Sequence, residues 1–344
     1  MSTRYAELIH WMGIQDRKYF IPSTADIDLT NICNQDCFYC STSDFRNRHP
    51  VQQKFDMNIQ LIDKLATWRN YNPNSIGTFS TVIFSGGGEP TLFKDYEKII
   101  EHTIDSDILA ALITNGSNLH KMVENMSADK INKLLYIGID IDAGSKQLYE
   151  SIRKSKPTVG LFDQVCDNIK ELAQIANNVD LKVVLNQFNS SDSALTDIFA
   201  LAATAKVRQV YVRPLYDPAT HYVFPINEYY DKITKLAEEF TVDVKINLTR
   251  FLQRNYSKCH QMYLFPIFCA DGNIYTCSEN KGNPNFSIGS WVEGDFREVW
   301  LSQSHHNCYD TVDTNLCHMC RSNDHNINIQ NGMGDARYLE RLMF

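Results

Sequence analysis

The chain has 344 residues, 43% of them hydrophobic, with a formal net charge of −8 and a pI near 5.7. That is enough apolar material for a sizeable core and about two domains, and an acidic balance disfavours contact with a nucleic-acid backbone, which needs clustered Lys and Arg. No apolar run approaches the roughly 18 residues that cross a bilayer, and Met1 to His10 lacks the pattern of a secretory segment, so the ten cysteines are read in a reducing, cytoplasmic compartment.

In chain order, the first expected strand, Asp26 to Thr30, feeds into Asn31-Ile-Cys-Asn-Gln-Asp-Cys-Phe-Tyr-Cys40. Cys33, Cys37 and Cys40 thus share one short loop. A 4Fe-4S cluster normally takes four thiolates, so three on a tight loop leave one iron open to another ligand. Zinc usually takes four ligands in two pairs, and no second pair follows before the C-terminal quarter. A second strand, Thr81 to Ser85, runs into Gly86-Gly87-Gly88-Glu89-Pro90. These glycines let the backbone approach a ligand, and Glu89 can meet an ammonium group; taken alone, the stretch reads as an ordinary turn.

Further strands are expected at Ala110 to Thr114, Leu135 to Ile141, Leu181 to Asn186 and Gln209 to Leu215. Helical patterns fit near Ile59 to Trp68, Tyr96 to Thr103, Leu161 to Ile175, Ser193 to Ala205 and Glu228 to Phe240. Repeated strand–helix units imply an α/β fold with a parallel sheet and right-handed crossovers. Cys166 lies on an apolar helical stripe and is expected in the core. In such folds ligands gather where strands end, and Cys33, Gly86, Asn115, Asp142, Asn186 and Arg213 all fall there.

The Cys-x3-Cys-x2-Cys loop after the first strand, paired with Gly-Gly-Glu-Pro after the second, resembles the radical S-adenosylmethionine (SAM) superfamily. The resemblance implies an open (β/α)6 partial TIM barrel. It also implies SAM chelated on the open iron of a three-cysteine 4Fe-4S cluster and cleaved to methionine and a 5′-deoxyadenosyl radical, which abstracts a hydrogen from substrate. It places Tyr39 near the adenine, and Gly86, Gly87, Gly88 and Glu89 at the SAM amino group. The run Ile137 to Gly144, with Tyr149 to Arg153, is similar to the family's Ser-x-Asp-Ala/Gly and Tyr-x-x-x-Arg stretch, which implies Arg153 at the SAM carboxylate. Asp140 stands where the serine is expected, and its implied partners are ribose hydroxyls or a cation. Asn115, Asn186 and Arg213 are candidates to touch SAM or substrate.

Beyond Phe240 the alternation stops, and six cysteines fall between Cys259 and Cys320. Cys317-His-Met-Cys320 has metal-ligand spacing, and Cys269 to Cys277 reads as a hairpin ending in a ligand. By themselves four such cysteines read as zinc; beside the upstream motif they resemble the shortened SPASM, or twitch, extension. That resemblance implies an auxiliary 4Fe-4S cluster on Cys259, Cys277, Cys317 and Cys320, with Cys269 or Cys308 as substitutes for Cys259. Left over, Cys269 and Cys308 are candidate hydrogen donors to a substrate radical. His305, His306 and His318 are expected as solvated loop residues.

The expected division is a barrel over residues 1–240 and a small loop-rich iron–sulfur domain over 241–344. The expected activity is hydrogen abstraction from a small sugar- or nucleoside-like molecule, a net oxidation assisted by the auxiliary cluster, with a flavodoxin- or ferredoxin-type electron donor. Redox-neutral epimerisation or elimination, peptide modification and a zinc-stabilised binding protein are the alternatives. With only some twenty-five residues before the first strand, no fused leader-binding domain is expected, which favours a small substrate unless a separate leader-binding protein takes that role. The cysteine spacing and the ending Leu339-Glu-Arg-Leu-Met-Phe344 disfavour a molybdopterin-type cyclisation.

Overall fold

The computed structural model describes residues 19–75, 77–154, 160–217, 220, 222–248, 254, 256–317, 320 and 322–334; His318 lies outside them. Strands β1 (Thr24–Asp28), β2 (Thr81–Ser85), β3 (Leu109–Thr114), β4 (Ile137–Asp140), β5 (Val179–Leu185) and β6 (Gln209–Pro214) pair in parallel in that order. The helices that carry the chain between them include Phe55–Ala66, Tyr96–Asp105, Leu119–Asn125, Leu161–Ile175 and Asp192–Ala205. This is the expected α/β fold, an open partial barrel. After β6 comes a two-stranded ribbon, β7 (Tyr216–Asp217) with β8 (Tyr222–Val223), then helix Tyr230–Phe240 and β9 (Asp243–Ile246), which adds to β6 in parallel. The boundary expected after residue 240 therefore falls inside a strand–helix–strand unit.

The C-terminal segment is built onto the other edge. β10 (Ile267–Phe268) runs parallel to β1, and β11 (Asn273–Tyr275) and β12 (Ser287–Ser290) follow antiparallel, giving one ten-stranded sheet in the order β12-β11-β10-β1-β2-β3-β4-β5-β6-β9. The hairpin expected from Cys269 to Cys277 is the turn between β10 and β11.

Period-two alternation gives the sheet two unlike faces. Ala25, Ile27, Val82, Phe84, Ala110, Leu112, Ile137, Ile139, Leu181, Val183, Val210 and Val212 belong to the apolar core shared with the helices, as does Trp68. Their alternates face inward and are mostly polar: Ser85, Asp140, Asp180, Lys182, Tyr211 and Arg213 line a cavity. The core continues without a break into the C-terminal segment through Phe268, Trp291, Phe296 and Trp300. Cys166 is buried, as expected.

His305 departs from expectation. It sits on helix Gln303–Thr311 with none of its surface exposed; Nδ1 accepts from Leu301 N at 3.1 Å and Nε2 donates to Met262 O at 2.9 Å. Both ring nitrogens are used by the neutral imidazole, and burial lowers its pKa to about 3. Leu301 holds a left-handed φ of 63°, so this acceptor steadies a bend that leucine does not favour. His306 Nδ1 meets the Tyr263 hydroxyl at 2.7 Å instead of only water.

An unfolded histidine protonates near pH 6.5, whereas His305 in the folded chain does not. Its contribution is thus fully present above that pH and is lost progressively as pH falls towards 3. The wild-type melting temperature should therefore drop more between pH 6.5 and 4.5 than that of His305→Gln, whose amide does not titrate. Equal slopes would show that His305 is not the buried neutral group described.

Candidate active site

The cysteine loop is held by backbone on two sides. Gly88 N donates to Thr30 O at 3.0 Å and Glu89 N to Ile32 O at 2.8 Å, while Asp36 N reaches Arg153 O at 3.1 Å, at the end of helix Lys146–Arg153. The first contact is so close that a Cβ on Gly88 would lie 2.2 Å from Ile32 O, and one on Gly87 2.4 Å from Asn31 Oδ1. At Gly88 the obstacle is backbone, so that position needs glycine, whereas at Gly87 it is the Asn31 side chain; the two motifs form one piece of structure.

Glu89 is almost wholly buried and accepts four hydrogen bonds. Oε1 takes Thr91 N (3.0 Å), Thr91 Oγ1 (2.6 Å) and Thr114 Oγ1 (2.5 Å); Oε2 takes Asn115 N (2.7 Å). The carboxylate ties the glycine turn to the end of β3, and burial raises its pKa although every one of these bonds favours the anion. Oε2 keeps acceptor capacity towards the cavity. Asn115 Nδ2 then donates to Asn34 Oδ1 at 2.8 Å, bracing the cysteine loop.

Arg153 is buried against Asp142, a residue with φ of 58° just past β4. Its Nη2 is 2.8 Å from Asp142 Oδ2, close enough for an ion pair but off the line of its N–H bonds. Nη1 contacts Gln35 Oε1 (3.4 Å) and Cys37 Sγ (3.7 Å), and the Tyr39 hydroxyl also bonds Asp142 Oδ2. Arg153 Nε, buried, has no hydrogen-bond partner among the described residues. The guanidinium thus steadies the loop and keeps one edge unsatisfied.

A cavity of about 610 Å³ collects these groups. Its wall includes Cys33, Cys37, Cys40, Tyr39, Gly86, Gly87, Gly88, Glu89, Asn115, Asp140, Arg153 and Arg213. Asn186 is not on it: fully buried, its Nδ2 donates to Val184 O and its Oδ1 accepts from Phe188 N, so it fastens the loop after β5. Burial pushes the Cys33 thiol up to about 12 and Cys37 to about 11, with Arg153 opposing the rise at Cys37.

In the C-terminal segment the structure brings Cys259, Cys277, Cys317 and Cys320 together. Burial raises the Cys259 thiol, and Cys320, Cys277 and Cys317 raise it further. Asn326 Nδ2 spans Cys259 Sγ (3.8 Å) and Cys320 Sγ (3.6 Å), and Asn280 Nδ2 reaches Cys277 Sγ (3.3 Å). Cys269 and Cys308 stand apart, buried and off the cavity wall; Cys308 Sγ is 2.8 Å from Asn285 O and Cys269 Sγ 3.9 Å from Asn31 Oδ1. Among the described residues no three Cys, His, Asp or Glu side chains converge as ligands of a single ion. A cubane does not ask for that, since it takes each thiolate at a different iron.

Residues 27–192 match the model of the radical SAM superfamily. They are a radical SAM domain. A probable GTP 3′,8-cyclase of Sulfurisphaera tokodaii is 25% identical over 290 residues, 78% of this chain and 85% of that protein. Among solved structures, Streptococcus suis SuiB bound to precursor peptide SuiA matches with a TM-score of 0.62 at 14% identity, covering 85% of this chain and 67% of SuiB. SuiB bound to S-adenosylmethionine matches with the same score at 15% identity, over 85% of this chain and 68% of that one. The likeness to SuiB is one of fold.

The radical SAM family implies a 4Fe-4S cluster and SAM, and the cavity fits both. Three soft donors stand on one loop, the glycine turn has its backbone bare, and Arg153 offers an unsatisfied buried edge. Sequence reasoning set Asp142 at a strand end without a role for it, and missed Gln35 and the buried pair of Lys281 Nζ with Asp28 Oδ2 at 2.5 Å. A carboxylate alternating with apolar residues, as in Asp26-Ile-Asp28, is the signal that was available.

Gly88→Ala should cost about 1–3 kcal/mol of stability by overpacking and weaken SAM binding at least tenfold, as read by thermal melting and by equilibrium dialysis with labelled SAM. A variant that binds SAM normally would mean that the turn does not shape the cofactor site.

Proposed function

We propose that Cys33, Cys37 and Cys40 ligate the cluster that chelates SAM, and that the enzyme takes a hydrogen atom from a small sugar- or nucleoside-like substrate in a net oxidation. The observation that carries this reading is the meeting of those three thiols, the glycine turn and Arg153 on one cavity wall. Bound there, cluster and SAM supply one-electron, hydrogen-abstracting chemistry.

The chain's own residues hold and shield. Oε2 of Glu89 accepts from the SAM ammonium, and the open edge of Arg153 meets the carboxylate. Tyr39, fixed through Asp142 and with the Arg153 guanidinium 6.0 Å from its ring, is assigned to the adenine. Arg153 also donates towards Cys37 Sγ, a contact of the type that raises a cluster's reduction potential. A cavity of about 610 Å³ that must also take SAM leaves space for a small molecule. Radical chemistry there needs bound substrate and the C-terminal segment to keep water from the reacting centre.

The C-terminal segment is assigned a twitch-type auxiliary 4Fe-4S cluster on Cys259, Cys277, Cys317 and Cys320, fully ligated and therefore a relay for the substrate's second electron. The elements that follow β9 act as the cover of the barrel. Supporting this are the mutual approach of the four thiols and the two asparagines that reach their sulfurs. Oxidation is placed ahead of epimerisation because neither Cys269 nor Cys308 lines the cavity. The name of the cyclase relative supports a second reading, a redox-neutral closure of a nucleotide-like substrate. A flavodoxin- or ferredoxin-type protein supplies the first electron in either case.

The combined variant Cys33→Ala, Cys37→Ala, Cys40→Ala should form no 5′-deoxyadenosine from SAM under a strong reductant while keeping about four irons per chain, the complement of one fully ligated cubane. Loss of all iron would remove the auxiliary site from the proposal. Colourless, zinc-loaded wild-type protein would defeat the radical reading altogether.

A further inference from the structure

The far wall of the cavity carries charge that SAM and the cluster loop do not use. Parallel register sets Asp140 of β4 opposite Lys182 of β5, Lys182 opposite Tyr211 of β6, and Tyr211 opposite Lys245 of β9. All four line the cavity, and Arg213 is the next inward position along β6. With strands about 4.8 Å apart and about 3.3 Å of rise per residue, Lys182 and Lys245 start roughly 10 Å apart and Arg213 roughly 7 Å above Tyr211.

The Lys182 ammonium lies over the rings of Tyr136 and Tyr211, at 5.7 and 5.5 Å, which keeps it along the wall. The Tyr211 hydroxyl is fixed by Asn247 Nδ2 at 2.7 Å. Other cations of the cavity are already matched: Arg153 with Asp142, Lys281 with Asp28, Arg208 with Asp180. The side chains of Arg213 and Lys245, by contrast, have neither a hydrogen bond nor an ion pair among the described residues. Lys182, Arg213 and the more exposed Lys245 therefore share a concave wall with two carboxylates, Asp140 and Asp180, the second of which is taken by Arg208, in a chain whose net charge is −8. Like charges gathered in a cleft raise one another's energy unless an anion comes in, and a cleft of this kind concentrates such an anion.

We infer that this wall is an anion subsite and that the substrate carries a phosphoryl group there, as a phosphate ester or polyphosphate. Arg213 presents its planar fork to phosphoryl oxygens and the two lysines act as point charges. A phosphoryl group brings more charge and more acceptor oxygens than a carboxylate, and two linked groups offer enough of them for the Arg213 fork and both lysines at once. The inference deepens the radical reading and rests on it for the placement of SAM against β1 to β4. Of the two partners expected for Arg213, SAM or substrate, it assigns substrate, and it gives Asp140 a cation, Lys182, as its neighbour.

Calorimetric titration of the cluster-reconstituted full chain with inorganic pyrophosphate tests the subsite without turnover. Wild type should bind it, more weakly as salt rises, and Arg213→Gln with Lys245→Gln together should weaken binding at least tenfold while leaving the melting temperature within a few degrees. SAM titrated in parallel should bind the two proteins within threefold of each other. Wild type that ignores pyrophosphate, a double variant that binds it as well as wild type, or succinate bound as tightly as pyrophosphate would each overturn the phosphoryl assignment. Equal losses of SAM and pyrophosphate would return Arg213 to the cofactor and overturn it too. Binding is read without radical chemistry, so failure here and failure of 5′-deoxyadenosine formation are separate results.

Discussion

At Gly88 and Glu89 the glycine turn lies directly on the backbone of residues 30–32, with no room for a side chain on Gly88. Everything at the candidate site follows from that contact. It sets the height of the cysteine loop above the sheet, brings Glu89 to the end of β3, and leaves a bare stretch of peptide facing the cavity. Glycine weakens strands and helices through its conformational freedom, so a run of three immediately after a strand needs a local gain to offset it. Here the gain is an approach that no other residue permits.

Two buried ion pairs then fix what the backbone contact leaves free. Arg153 with Asp142 closes one side of the loop, and Lys281 with Asp28 joins the C-terminal segment to β1 on the other, both pairs with side chains almost wholly inside. Burying charges costs desolvation that their attraction does not reliably repay, so such pairs are poor devices for stability. Their value is position. Each reaches from one chain segment to another, and each leaves an atom without a hydrogen bond, Arg153 Nε and Asp28 Oδ1, which is the mark of a group arranged for something besides folding.

Much of this was legible in the sequence, and the reasons differ by element. Helix Leu161–Ile175 and strand Thr81–Ser85 match expectation end for end because their apolar periods are uninterrupted and sharply bounded. The two motifs were legible because their chemistry demands fixed spacing. β9 was not, since Asp243-Val-Lys-Ile246 offers too few apolar residues and forms by adding to an edge already in place. His305 was misread because a histidine in a polar stretch, Gln303-Ser-His-His-Asn307, gives no sign that aromatic neighbours will close over it; its ring lies 4.5 Å from that of Trp300 and 4.7 Å from that of Tyr263. Asn186 sits where a ligand contact is plausible by chain position, yet three bonds of its own loop use it up.

The sheet's openness reconciles these features. A closed parallel barrel fills its interior with layers of branched apolar side chains, whereas here the inner row from β4 to β9 is Asp140, Lys182, Tyr211 and Lys245. Such a row would be ruinous in a dry core, because unpaired charge in low dielectric has no compensation. It is tolerable in a cleft that water or a ligand can enter. The same openness leaves the edge of β1 free to accept β10, which brings the C-terminal cysteines to the side of the sheet that carries the cysteine loop. Polar bore, open edge and added segment are thus one solution: the strands stop short of closing, which leaves both a cleft that a ligand can enter and an edge of β1 on which β10 pairs.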